Sequence, residues 1–95
     1  MRKLTKADIE LLMNWGYLKE DITDIQYRLP YLRCYLYNEK DGSEVRISRK
    51  KAIELIGREQ FLSGLGRCAF HWDALKIVEG TNLSVFFDMS KYFRS

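Results

Sequence analysis

Proline, histidine and cysteine are scarce in this chain: one Pro (Pro30), one His (His71) and two Cys (Cys34 and Cys68) among 95 residues. A structural zinc normally takes four ligands. Cys68 and His71 have C-x-x-H spacing and supply half a site. Cys34 and the scattered carboxylates lack the spacing to complete it, so no metal and no other cofactor is expected. No apolar run approaches the roughly 18 residues of a membrane span. Residues 1 to 20 alternate polar and apolar side chains, which does not read as a signal peptide. The expected setting is therefore the cytoplasm, with both thiols reduced. Walker-type glycines followed by Lys and Ser/Thr are missing, so the glycines do not form a phosphate loop. Internal repeats, linkers and low-complexity tracts are missing too.

The chain does have aromatic residues, five Phe, six Tyr and two Trp. Large rings let a short chain reach adequate burial, and a chain of this length forms one domain with a modest core. The formal charge is +3. The excess is uneven: residues 25 to 67 hold nine Lys/Arg against five Asp/Glu. Such a zone is either a solvated surface or a meeting place for phosphates or an acidic partner.

Taken in order, Thr5 caps a first helix by accepting from the amide of Asp8, and Asp8 suits the positive end of that helix. Ile9, Leu12 and Met13 fall on one buried stripe, Trp15 extends it, and Gly16 stops it. Asp21 begins a second, shorter helix with Ile22, Ile25 and Leu29 as its apolar side, ended by Pro30. Its exposed positions, Thr23, Asp24 and Gln26, make a poor DNA-recognition helix. Tyr31 to Tyr37 alternates as a strand, with Leu32, Cys34 and Leu36 on one side and Tyr31, Arg33, Tyr35 and Tyr37 on the other. A turn at Asp41-Gly42 leads to a return strand with Val45 and Ile47 inward and Glu44 and Arg46 outward.

Ser48 caps a central helix whose first turn carries Arg49, Lys50 and Lys51, with Ala52, Ile53 and Ile56 as its buried stripe. Three cations at the end where the helix dipole is already positive are unfavourable by a few tenths to about 1 kcal/mol each when exposed. The same turn offers unpaired backbone amides. Gly57 ends this helix, and Arg58 to Leu65 adds a further turn or two anchored by Phe61, Leu62 and Leu65. Gly64 and Gly66 suit a tight hinge or close backbone packing. Arg67 to Val78 fits two readings. A strand puts Cys68, Phe70 and Trp72 on one face and needs a bulge near Asp73-Ala74. A helix aligns Leu65, Cys68, Ala69, Trp72 and Leu75. The aromatic and β-branched content and the turn at 79–82 favour the strand. Leu83 to Asp88 forms the last strand, and Met89 to Phe93 docks the C-terminus. The sum is a single α+β domain spanning residues 1–95: an N-terminal helix pair, two β-hairpins in an antiparallel sheet and a central helix.

Catalysis finds little support. Cys68 and His71 could form a nucleophile pair on a helix, but on a strand positions three apart point to opposite faces. His71 reads instead as partly buried or as an interface residue beside Trp72. Asp73 and Asp88 could face each other across the second hairpin, yet nothing builds a cleft around them. Two binding surfaces remain: the outer hairpin face (Tyr31, Arg33, Tyr35, Tyr37, Arg46) and the helix head (Arg49, Lys50, Lys51). Tyrosines interleaved with arginines fit a helix-covered face, a protein interface or a platform for single-stranded nucleic acid.

Two phrases carry a resemblance: IGREQFLSGLGRCAFHWDA at residues 56 to 74, and FDMSKYFR at residues 87 to 94. Over about a third of the chain, they resemble small accessory proteins of phages and conjugative elements of Gram-positive gut bacteria. The resemblance implies a mobile-element protein that binds and blocks a host defence protein, a class that includes the anti-CRISPR proteins. That class has no common motif, so it assigns no residue a role. The expectation is a non-catalytic inhibitor occupying a host protein or nucleoprotein, with a CRISPR effector as one such target; the alternative is a small basic nucleic-acid-binding protein. No membrane partner is expected, and the sequence does not specify an oligomeric state.

Overall fold

A computed structural model of the chain describes residues 3–67, 72–78 and 80–89, with the backbone path alone for 67 and 72–77. Among the described residues, four helices and four strands follow in the order α1 (Lys6–Asn14), α2 (Lys19–Arg28), a 3-10 turn (Leu29–Tyr31), β1 (Arg33–Asn38), β2 (Glu44–Ile47), α3 (Arg49–Ile56), α4 (Arg58–Arg67), β3 (Trp72–Ile77) and β4 (Leu83–Asp88). The α+β class, the helix pair, the two hairpins and the antiparallel sheet match the sequence reading. Strand order is β2-β1-β4-β3, so the first and last strands form the middle of the sheet.

The helix starts follow from local hydrogen bonding. The Asp8 amide donates to Thr5 Oγ1 at 3.2 Å and the Thr5 amide donates to Asp8 Oδ2 at 2.9 Å, a reciprocal capping box. Helix α2 begins two residues earlier than expected, because Asp21 is not its first residue but the one whose carboxylate accepts from the Leu18 amide at 2.9 Å. Ser48 caps α3 by accepting from the Lys51 amide at 3.0 Å. Gly57 ends α3 at φ 86°, a left-handed conformation that costs glycine little. The chain there turns directly into α4, a full ten-residue helix rather than a turn or two.

One face of the sheet carries Cys34, Val85 and Phe87, and the core forms between it and the helices. Phe61 of α4 meets Phe87 edge-on at 5.2 Å between ring centroids. Leu4, Leu12, Ile22, Ile25, Leu29, Leu32, Ala52, Leu62, Leu65 and Met89 complete the buried apolar set among the described residues. Each large apolar side chain buried here contributes about 1.5–3 kcal/mol. In α1 the buried line runs Leu4, Asp8, Leu12, at spacings of four. That phase turns Met13 and Trp15, expected inside, out to solvent at 47% and 42% exposure. Val45 has the expected inward register, opposite Leu36, yet is 57% exposed. It sits on the edge strand, whereas α3 packs on β1 and β4.

Helix α4 extends through Arg67 and strand β3 begins at Trp72, so the ambiguous segment is helix at its start and strand at its end. Residues 68–71 lie outside the described set, as do 90–95 of the expected docked tail. The ladder between β3 and β4 shifts register between Asp73 and Lys76, the bulge that the slipped hydrophobic phase required. The same register pairs Trp72 with Asp88 and Asp73 with Phe87, so the two aspartates are not cross-strand partners.

Asp8 is a buried carboxylate, 1% exposed. Arg58, fifty residues on, grips it with two guanidinium nitrogens, Nη2 donating to Oδ2 at 2.7 Å and Nε donating to Oδ1. The Arg58 hydrogen bond lowers the Asp8 pKa from its ordinary 3.8, against the opposing effect of burial. A depressed folded pKa means that the carboxylate's stabilisation is complete above the unfolded value and is lost as pH falls through the folded one. Replacing Arg58 with Gln should therefore cost about 1–3 kcal/mol at neutral pH, nearer the low end because the guanidinium is 44% exposed and Asp8 keeps Thr5. Urea melts at neutral pH and below pH 4 should show the gap between wild type and variant narrowing in acid.

The expected close packing at the glycine pair is found at Gly66, inside α4 and not at a hinge. A Cβ there would stand 2.4 Å from Tyr17 Oη and 2.8 Å from its Cζ, and Tyr17 is half-buried against the core. Gly66→Ala should destabilise by about 1–3 kcal/mol despite a better helix former. In a Tyr17→Ala background the same change should turn stabilising, by up to about 1 kcal/mol. A double-mutant cycle in urea reads the coupling.

Candidate functional site

The candidate residues divide between three elements. Register places Arg33, Tyr35 and Tyr37 of β1 on the outer face of the sheet, away from the core. Opposite Tyr35 stand Arg46 on one side and Phe86 on the other; opposite Arg33 stands Asp88, and opposite Tyr37 stand Glu44 and Ser84. No described helix packs on this face. The tyrosines are half-buried rather than enclosed, because β1 has a neighbouring strand on each side. Tyr35 stacks on Phe86 with ring centroids 5.4 Å apart and planes 19° from parallel. This stack ties the two central strands together and fixes the tyrosine ring in place.

Tyr31 does not belong to that face. It is the last residue of the 3-10 turn and packs, half-buried, against the core. Pro30 fixes its own φ near the helical value, and the Leu32 amide closes the turn on the Leu29 carbonyl at 3.1 Å. The strand therefore starts two residues later than the alternation suggested.

The helix head is split as well. Arg49 donates from Nη1 to the Leu29 carbonyl at 2.7 Å, tying the start of α3 to the end of the α2 segment. It is a half-buried brace, not a loose surface cation. Lys50 and Lys51 are exposed.

Sequence reasoning treated the hairpin face and the helix head as two surfaces. The structure joins part of each. Arg33, Arg46, Arg49 and Lys50 line one open cleft of about 310 Å³, with Ser48 between them. No carboxylate lines it. Continuing the β1–β2 register past Cys34–Ile47 sets Ser48 opposite Arg33, so the strand end and the helix start meet there. Lys51 lies outside this cleft. A second open cleft, of about 370 Å³, holds Lys3, Lys50 and Arg58 together with Glu54, so Lys50 stands between the two. Arg46, Ser48, Arg49 and Lys50 are neighbours in the chain; the fold adds Arg33, which the β1–β2 pairing brings to them.

Among the described residues no three His, Cys, Asp or Glu side chains gather as a metal site. Cys34 is buried in the core. Cys68 and His71, the pair weighed for a nucleophile or a metal, lie outside the described residues. No described helix is long and apolar enough to cross a membrane. Compared with known protein families, curated proteins and solved structures, the chain matches none.

The two neighbouring cations should behave oppositely on mutation. Arg49→Ala removes a charged donor from a backbone carbonyl and should lower the unfolding free energy by about 1–2 kcal/mol. Lys51→Ala relieves a cation at the positive end of α3 and should leave stability unchanged or raise it by a few tenths of a kcal/mol. Thermal melts of the two variants side by side read the difference.

Proposed function

We propose that this chain is a non-catalytic binding protein that occupies a surface of a host protein or nucleoprotein complex and blocks it. The observation that carries the reading is the cleft in which Arg33, Arg46, Arg49 and Lys50 converge from two strands and a helix with no carboxylate among its lining residues. Like charges brought together at a strand-helix junction repel one another and are costly unless an anionic partner arrives. The cleft lies at the end of the β1–β2 pair; Tyr35 and Tyr37 do not line it but offer rigid aromatic surface farther along β1. Aromatic and arginine side chains together are the usual make-up of a macromolecular interface. Charge steers the encounter and the rings supply contact area.

The resemblance of residues 56–74 and 87–94 to accessory proteins of mobile elements supports the biological setting: an inhibitor of a host defence protein, with a CRISPR effector as one such target. Inhibition follows from steric occlusion. Nothing in this reading requires a cofactor, a metal or a catalytic residue.

The combined Arg33→Ala and Tyr35→Ala variant tests the surface. Both residues lie outside the core, so the variant should stay folded, less stable by the lost Tyr35–Phe86 stack, about 0.5–1.5 kcal/mol. Immobilised wild-type protein should retain a defined partner complex from host lysate, and the double variant should lose it by about tenfold or more. Equal retention by the two would remove this face from the mechanism. Treating the lysate with nuclease beforehand shows whether the partner holds on through nucleic acid.

A further inference from the structure

We infer that the basic cleft between the end of β2 and the start of α3 is a phosphate subsite for single-stranded nucleic acid, with the Tyr35 side of the sheet as its base platform. This rests on the binding reading above and names the chemistry of the ligand.

Three observations converge. First, Arg33, Arg46, Arg49 and Lys50 line one opening of about 310 Å³ together with Ser48 and apolar residues of the strand ends. Two or more guanidinium groups around one opening match the forked geometry that phosphate oxygens accept. Second, Arg49 is already ordered by its bond to the Leu29 carbonyl. A pre-ordered arginine loses less freedom on binding than a free surface side chain. Third, the cations lie next to rings and not apart from them. Arg46 is the direct cross-strand neighbour of Tyr35, and Tyr35 lies between Arg33 and Tyr37 along β1. Phosphate contacts alternating with stacking surface along an open sheet is how single strands are held without sequence preference.

Duplex DNA fits less well. A duplex keeps its bases stacked inside, so it could use the cations but not the tyrosines. The helix pair offers no reading head either, since α2 exposes Glu20, Asp21 and Asp24. An acidic protein surface could use the cations, but it would not need them arranged around one small opening.

Fluorescence anisotropy of a labelled 20-nucleotide single strand of mixed sequence, at about 50 mM salt, provides the test. The wild type should bind it about tenfold or more tighter than the matching 20-base-pair duplex. Arg33→Ala with Arg46→Ala should weaken binding at least tenfold and reduce the salt slope by about 1–2. Lys51→Ala, on the same helix turn but outside the cleft, should weaken it less than about twofold. Tyr35→Phe should bind like the wild type, and Tyr35→Ala should lose about fivefold or more. Three results would each overturn the inference: no binding at low salt, equal binding of duplex and single strand, or a Lys51→Ala loss equal to that of the combined Arg33→Ala and Arg46→Ala variant. If the single strand fails to bind while the lysate partner is still retained through Arg33 and Tyr35, the phosphate subsite falls and the protein-surface reading stands.

Discussion

Asp8 and Arg58 hold the helical layer of this protein together. A buried carboxylate is expensive unless its oxygens are satisfied. Here one is bonded by Arg58 and the other by Arg58 and the Thr5 amide. The arrangement needs three things at once: the capping box that turns Asp8 inward, the left-handed turn at Gly57 that starts α4 one residue later, and a guanidinium long enough to reach across. Removing any of them weakens the link between the start of the first helix and the start of the fourth. The second arginine brace, Arg49 to the Leu29 carbonyl, fixes the opposite end of the same layer. Between them, the two braces set where the head of α3 lies relative to the strands.

This changes the meaning of the basic zone. Nine Lys/Arg fall between residues 25 and 67, but charge counted along a chain does not say which charges are spent inside. Arg28 is buried and paired with Asp24 at 3.0 Å. Arg49 and Arg58 serve as braces. Arg33, Arg46 and Lys50 line one cleft with Arg49 and are the part that a partner can meet. Structural and recognition roles thus share one compositional bias, and the structural share is what positions the rest.

Local physics made most of the architecture legible in the sequence. The Thr5 and Ser48 caps, the Gly57 stop, the Asp41-Gly42 turn, the Leu83–Asp88 strand and even the β3 bulge depend on neighbours a few residues away. The failures are equally physical. Periodicity placed Met13 and Trp15 inside because apolar residues usually mark the core face, but in α1 a carboxylate holds that face and rotates the stripe. Alternation carried β1 back to Tyr31, but Pro30 holds that residue in a tight turn. Val45 had the right face, yet the pattern could not show that β2 is an edge strand the helices do not cover. For the site, residue types were readable but their grouping was not: Arg33 and Lys50 are seventeen positions apart, and only the fold sets them on one cleft.

Placing recognition on β1 has a physical logic for so short a chain. A small domain has few rigid positions, because loops and helix ends retain motion and each ordered side chain costs entropy on binding. A central strand is the exception. β1 is laddered to β2 and β4 along its length, its inner residue Cys34 is locked in the core, and its outer Tyr35 is clamped by Phe86. Side chains projecting from it are therefore held before a partner arrives. The same clamping limits them: half-buried rings offer one surface and cannot reach out. A site built this way grips by alignment of a fixed aromatic strip with a fixed group of charges, so it favours a partner that presents stacking surface and anionic groups at a regular short spacing.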